Sequence, residues 1–128
     1  MVQLRSSLRV VDNSGCLLAV CIGLNRLQNY GTIGDIVTVS LTSFTTLGKI
    51  QRGTVSKGII VRVKKENRLL TGDYISFGDN AIILINSQFL PQYSRLFGPV
   101  SVELFVRNTI FNFKIKYLRI LALTKYKI

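Results

Sequence analysis

The residues of this sequence with the clearest capacity for chemistry are its cations, and two groups stand out. Gly48-Lys49-Ile50-Gln51-Arg52-Gly53, with Lys57 close behind, reads as one basic loop. Arg62, Lys64, Lys65 and Arg68 lie on a hairpin arm that leads to Gly72. Both groups project long cations from strand ends, where each can neutralise a phosphate. Solvated surface lysines would account for any single one of these residues. Two clusters in a chain with 17 Lys+Arg against 6 Asp+Glu, and a net charge of +11, call instead for a polyanionic partner.

Catalytic constellations are harder to assemble. The sequence has no histidine, and its carboxylates are scattered singly on turns. Asp12, Asp35 and Asp79 each sit beside Gly or Asn, where turn formation explains them. No glycine-rich loop carries the Lys and Ser/Thr of a phosphate-binding loop, and Ser14-Gly15 has no base partner in sequence. The expectation is a protein without enzymatic activity, metal or cofactor. Aromatic side chains could stack on bases. Phe44, Phe77 and Phe89 have apolar neighbours that suit core packing, whereas Tyr30 and Tyr93 lie in polar surroundings and are fairer candidates.

Period-two patterning supplies the elements that must position the cations. Val37, Val39 and Leu41 alternate with Thr38, Ser40 and Thr42, the mark of a strand with one face buried. From Gly58 to Lys65, Ile59, Val61 and Val63 face one way and Ile60, Arg62 and Lys64 the other. Leu8 to Val11, Leu17 to Leu24, Tyr74 to Phe77 and Ala81 to Ile85 are further short strands. Asp12-Asn13-Ser14-Gly15, Thr71-Gly72-Asp73 and Gly78-Asp79-Asn80 supply the turns. Short strands with turns every ten residues or so predict a small barrel or sandwich.

Cys16 and Cys21 are an odd number of residues apart in what reads as one strand, so their side chains should point to opposite faces. They are expected as small core residues without a mutual disulfide. After Ile85 the character changes. Pro91 and Pro99 flank an irregular stretch, and Ser101 could cap a helix with Glu103 in its first turn. The tail alternates like a strand at Phe111, Phe113, Ile115 and Tyr117, but is equally compatible with a short helix from Tyr117 to Leu123.

Hydrophobic residues make up 48% of the chain, yet a membrane span is not expected. The longest apolar runs, Leu17 to Leu24 and Ala81 to Ile85, fall far short of the roughly 18 to 20 residues required. Basic residues recur from Arg5 to Lys127 rather than clustering beside one apolar stretch, which favours nucleic acid over lipid. No cleavable signal is visible at Met1-Val2-Gln3-Leu4-Arg5, so the protein is expected to work where it is made, or after removal of a targeting segment.

These residues also follow a familiar order. Ser7-Leu8-Arg9-Val10-Val11-Asp12-Asn13-Ser14-Gly15, Val20-Cys21-Ile22, Gly34-Asp35, Gly48-Lys49, Gly58-Ile59-Ile60-Val61-Arg62, Asp79-Asn80-Ala81 and Arg95-Leu96-Phe97-Gly98-Pro99-Val100 recur at matching spacing. Together they resemble the universal large-subunit ribosomal protein fourteen family, over nearly the whole chain. The resemblance implies a mainly β fold: a small five-stranded, OB-like barrel over about residues 1–88 and a short helical or extended C-terminal region over about 89–128, in one domain.

The resemblance also implies function. It gives a structural constituent of the large ribosomal subunit that binds large-subunit rRNA. Neighbours would include the large-subunit protein numbered nineteen, small-subunit rRNA across an intersubunit bridge, and a ribosome-silencing factor. It places Lys49, Arg52, Arg62, Lys64, Lys65 and Arg68 toward rRNA, and Ser94, Arg95, Phe97 and Arg119 on the face toward protein neighbours and the other subunit. The family pattern carries basic residues where this chain has Leu69, Ser76 and Val102, and it is several residues shorter between Leu104 and Tyr117. Abundant Ile, Leu, Phe, Asn and Tyr with only three alanines (Ala19, Ala81, Ala122) suit an AT-rich organellar genome. That composition suggests a mitochondrion-encoded protein, with plastid or bacterial cytoplasm as the alternatives. A free OB-type module for single-stranded nucleic acid is the alternative function. It would be expected to show exposed aromatics along a strand face, where this chain has Ile, Val and Thr.

Overall fold

A computed structural model describes residues 2–24, 29–45, 53–69, 72–88, 90–93 and 95–101. The expected helix capped by Ser101, the alternating tail, and Lys49, Arg52, Phe89, Ser94 and Arg119 lie outside those residues.

The described residues form seven strands: β1 (Ser7–Val10), β2 (Cys16–Leu24), β3 (Ile36–Phe44), β4 (Val55–Arg62), β5 (Asn67–Arg68), β6 (Tyr74–Ile75) and β7 (Ala81–Ile85). β1, β2, β3, β4 and β7 form a closed barrel, and β5 and β6 form a separate two-stranded arm. Strand number and closure match the five-stranded barrel expected from the sequence. The path is a meander in which each barrel strand pairs with the next, whereas an OB barrel follows a Greek key. Closure is made by a parallel pairing of the first strand with the last, Arg9 against Ala81 and Val10 against Ile82.

Alternation builds the interior face of β1 and β3. Leu8 and Val10 of β1, and Val37, Val39 and Leu41 of β3, point inward and are buried, while Arg9 and Thr38 point out. β4 and β7 behave differently. Every residue from Gly58 to Arg62 and from Ala81 to Ile85 is buried. The two-sided reading of β4 is therefore corrected: Ile60 and Arg62 are as enclosed as Ile59 and Val61. A register shift between Ile60 and Arg62 breaks the simple alternation. The segment after β7 also doubles back along it, with Asn86 N–H donating to Leu90 O at 2.9 Å and Gln92 N–H to Leu84 O at 3.0 Å. Leu96 and Val100 then join the core.

β2 corrects a second expectation. Register irregularities between Cys16 and Leu18 and between Leu18 and Ala19 let Leu17 and Leu18 both face solvent. The parity of the strand is thereby reset, and Cys16 and Cys21 are both buried in the core rather than on opposite faces. Both are free thiols. Burial, reinforced by the nearby Asp12 charge, pushes the Cys16 thiol up to about 11, and burial raises Cys21 as well. Neither is a thiolate at neutral pH, which makes both poor nucleophiles.

The tightest approach in the barrel is at Gly58, which pairs with Val37 on one side and Leu84 on the other. A Cβ there would lie 2.9 Å from the Ile83 carbonyl oxygen and 3.1 Å from Ile82 Cδ1. The obstacle is backbone, so β4 and β7 would have to part. Gly58→Ala should lower stability by about 1 to 3 kcal/mol, the usual cost of overpacking. Urea unfolding followed by tyrosine fluorescence would check this; an unchanged midpoint would mean the two strands separate freely.

Candidate nucleic-acid interface

The six acids determine how many cations remain free, and the structure turns three of them inward. Asp12 is buried; its Oδ1 accepts the Ser14 N–H and its Oδ2 the Leu84 N–H, each at 3.1 Å. The first bond is the local turn expected from sequence, but the second ties the turn to β7. Asp35 Oδ2 accepts the Thr32 N–H at 2.7 Å and the Thr32 hydroxyl at 3.2 Å. Asp79 does more than make a turn, because it faces Arg62 and Arg9.

Arg62 is the clearest departure from expectation. Its Nη2 donates to Asp79 Oδ2 at 3.1 Å, while its Nε lies 3.0 Å from Asp79 Oδ1 as a close ion contact that is not aligned for a hydrogen bond. Nη1 donates to the carbonyls of Phe97 at 3.1 Å and Pro99 at 3.5 Å. Its side chain is only 7% exposed, so this guanidinium is spent inside the fold instead of reaching out from the arm. Gly98, at φ +86°, crosses directly over it, and any Cβ at that position would collide with Nη1. Arg9, whose side chain is 67% exposed, approaches the same Asp79 at 3.6 Å.

The neighbouring cations do face solvent. Lys64, Lys65 and Arg68 are all exposed, with exposed Glu66 between them. Their backbone is pinned: Lys64 N–H donates to Asn80 Oδ1 at 2.8 Å, and Phe77 N–H to Val63 O at 3.1 Å. The arm closes where Leu69 N–H reaches Asp73 O at 2.7 Å and Gly72, at φ +94°, donates back to Leu69 O. Tyr74 stands opposite Arg68 across β5 and β6 and is 65% exposed.

The sequence reading missed Tyr74 as a possible stacking surface. Its place just after the turn of a short arm was the available signal. Tyr93, which that reading favoured, instead packs against the core, where burial raises its phenol. Tyr30 remains exposed. Lys57 is exposed on β4, away from this cluster.

A second surface surrounds residues 95–98. Leu96 is buried and forms a bridge with Asp12, while Phe97 N–H donates to Val11 O at 2.8 Å. Those bonds leave Arg95 and Phe97 pointing outward, with Phe97 51% exposed. Beside them a cleft of about 440 Å³ runs between Leu17, Asn13, Thr45 and Phe97. Among the described residues no cluster of three His, Cys, Asp or Glu could hold a metal, and no helix is long and apolar enough to cross a membrane.

A family model described as ribosomal protein L14p/L23e matches residues 1–125. The chain belongs to that family. It is therefore a structural ribosomal constituent of the large subunit, in a family whose members are generally structural rather than catalytic. For this family member, Nη1 of Arg62 fixes the 97–99 turn against the barrel while Nη2 holds Asp79. Arg62→Ala should cost about 2 to 3 kcal/mol, less than for a fully buried pair because Asp79 stays partly in water. The variant should also be cut faster by chymotrypsin after Phe97. Arg62→Lys should rescue little, since a compact ammonium cannot span Asp79 and the turn carbonyls at once. Equal cleavage rates in wild type and Arg62→Ala would show that the turn is held by other contacts.

Proposed function

We propose that this protein binds large-subunit rRNA through the exposed cations Lys57, Lys64, Lys65 and Arg68, and holds neighbours on the surface around Arg95 and Phe97. The observation that carries the reading is the division of charge: Asp12, Asp35 and Asp79 are engaged within the fold, while the lysines at the end of β4 and on the arm are outside. Phosphate is the natural complement to such a surface. Lys49 and Arg52 extend it by family resemblance.

On the second surface, Ser94, Arg95, Phe97 and Arg119 meet protein neighbours, including the large-subunit protein numbered nineteen. They also face small-subunit rRNA across a bridge and receive a silencing factor. The compartment proposed is the mitochondrial matrix, with the protein encoded in the organelle; the supporting observation is the AT-rich residue usage.

Charge reversal of Lys64, Lys65 and Arg68 to Glu should exclude the protein from large subunits, because like charges would then face phosphate at close range. Sedimentation of a tagged triple variant through a salt-containing gradient reads this out. Wild type should travel with the large subunit and the variant should remain at the top. Normal incorporation of the variant would refute the assignment.

Arg95→Ala should leave assembly intact while weakening either subunit joining or silencing-factor binding by about 1 to 3 kcal/mol, the range for one charge-assisted contact. Titration of purified large subunits with small subunits, and separately with the factor, tests this. Two unchanged affinities would reduce Arg95 to an ordinary surface residue.

A further inference from the structure

Among the described residues, Lys57 lies apart from the exposed cations of the arm. It and Lys64 sit seven residues apart in sequence, largely along β4, so they are separated by about 23 Å at strand rise. It stands in a groove of about 590 Å³ lined by Thr38, Val55, Ser56, Ile85, Asn86, Ser87 and Gln92. The volume is within the range of small-ligand sites. We propose that this groove receives one ribonucleotide of the bound strand, with the phosphate on Lys57 and the ribose 2′-hydroxyl read by the polar rim. This inference rests on the rRNA-binding reading given above.

The chemistry of the lining argues for a ribose rather than for an anion alone. One cation is present and no carboxylate, so a single phosphate oxygen is the charge it can balance. Around it stand three hydroxyl groups (Thr38, Ser56, Ser87) and the side-chain amide of Gln92, all of which can both donate and accept. A 2′-hydroxyl does the same, and it is the group by which a protein separates RNA from DNA. Val55, 60% exposed, offers an apolar wall against which a sugar or base edge can lie.

The rim is built on fixed backbone. Register sets Lys57 between Thr38 of β3 and Ile85 of β7. Asn86 Oδ1 accepts the N–H groups of Gln88 at 2.9 Å and Leu90 at 3.1 Å, which holds the turn that presents Ser87. The backbone N–H of Gln92 is bound to Leu84 O. The backbone of the rim is therefore ordered before a strand arrives, and binding has only the side chains left to order.

The test compares oligouridylate with oligodeoxyuridylate, which share their bases and differ only in the 2′-hydroxyl. Binding of the full chain to each is followed by fluorescence anisotropy. Wild type should prefer the ribose strand by about threefold to tenfold, the worth of one hydrogen bond. The double variant Ser87→Ala/Gln92→Leu, both positions being exposed, should lose that preference while keeping its affinity for the deoxy strand. Lys57→Ala should weaken both and reduce the salt dependence by about one phosphate contact. Equal affinity of wild type for the two strands would overturn the inference, as would a preference that survives in the double variant. Failure to bind either strand would instead overturn the rRNA-binding reading on which the inference stands.

Discussion

Arg62 is an inward-facing cation at the end of a barrel strand, and its demands organise that end of the molecule. A guanidinium this enclosed must be matched by a carboxylate and by acceptors for its remaining N–H groups. Asp79 supplies the carboxylate, and the carbonyls of Phe97 and Pro99 accept from Nη1. In doing so they tie the segment that returns after Tyr93 to the edge where the end of β4 already pairs with the start of β7. Gly98 is part of the same device, because only a residue without a side chain can cross the guanidinium so closely. The outward display of Phe97 thus rests partly on the enclosed guanidinium that its own carbonyl caps.

The handling of charge follows from that arrangement. Asp79 is shared between Arg62 and the rim residue Arg9, and Asp12 is consumed by backbone N–H groups. Glu66 stands among Lys64, Lys65 and Arg68 but cannot offset three cations. Among the described residues, Lys57, Lys64, Lys65, Arg68 and Arg95 thus stand at the surface with little compensation beside them. Such a surface repels itself in isolation and is relieved by salt or by a polyanion. A protein so constituted suits permanent residence in a ribonucleoprotein better than a free existence.

Much of the barrel was legible from alternation. β3 reads correctly because Val37, Val39 and Leu41 are separated by hydroxyl residues, and β7 because Ala81 to Ile85 is uniformly apolar and bounded by Gly78-Asp79-Asn80. The arm was legible from its turn, since Thr71-Gly72-Asp73 leaves the chain little choice but to reverse. What escaped were departures from strict alternation. Two register irregularities between Cys16 and Ala19 put Cys16 and Cys21 into one core, and the 97–99 turn laid over the end of β4 encloses Arg62. A bulge leaves no mark in residue type, so the parity count fails from that point on. Tyr93 was misjudged because Gln92 and Ser94 made its surroundings look polar, whereas the segment folds back and lays its ring on the core. Of the candidate site, the exposed cations of the arm could be picked out by charge density. The exposure of Tyr74 and the inward turn of Asp79 required three dimensions.

The parallel closure of β1 against β7 carries a consequence for the order in which the chain can acquire its structure. Leu8 and Val10 are made about seventy residues before Ala81 and Ile82, yet one edge of their strand finds no partner until those two have emerged. The adjacent β1–β2, β2–β3 and β3–β4 pairs are local and can form early, giving an open four-stranded ribbon with two bare edges. Such an intermediate is at risk of pairing with other chains, and a topology with so distant a final contact folds slowly for its size. A nascent chain of this design gains its last and most protective pairing only once β7 has followed all the other barrel strands. The net positive charge of the sequence opposes contact between such unfinished copies in the meantime through mutual repulsion.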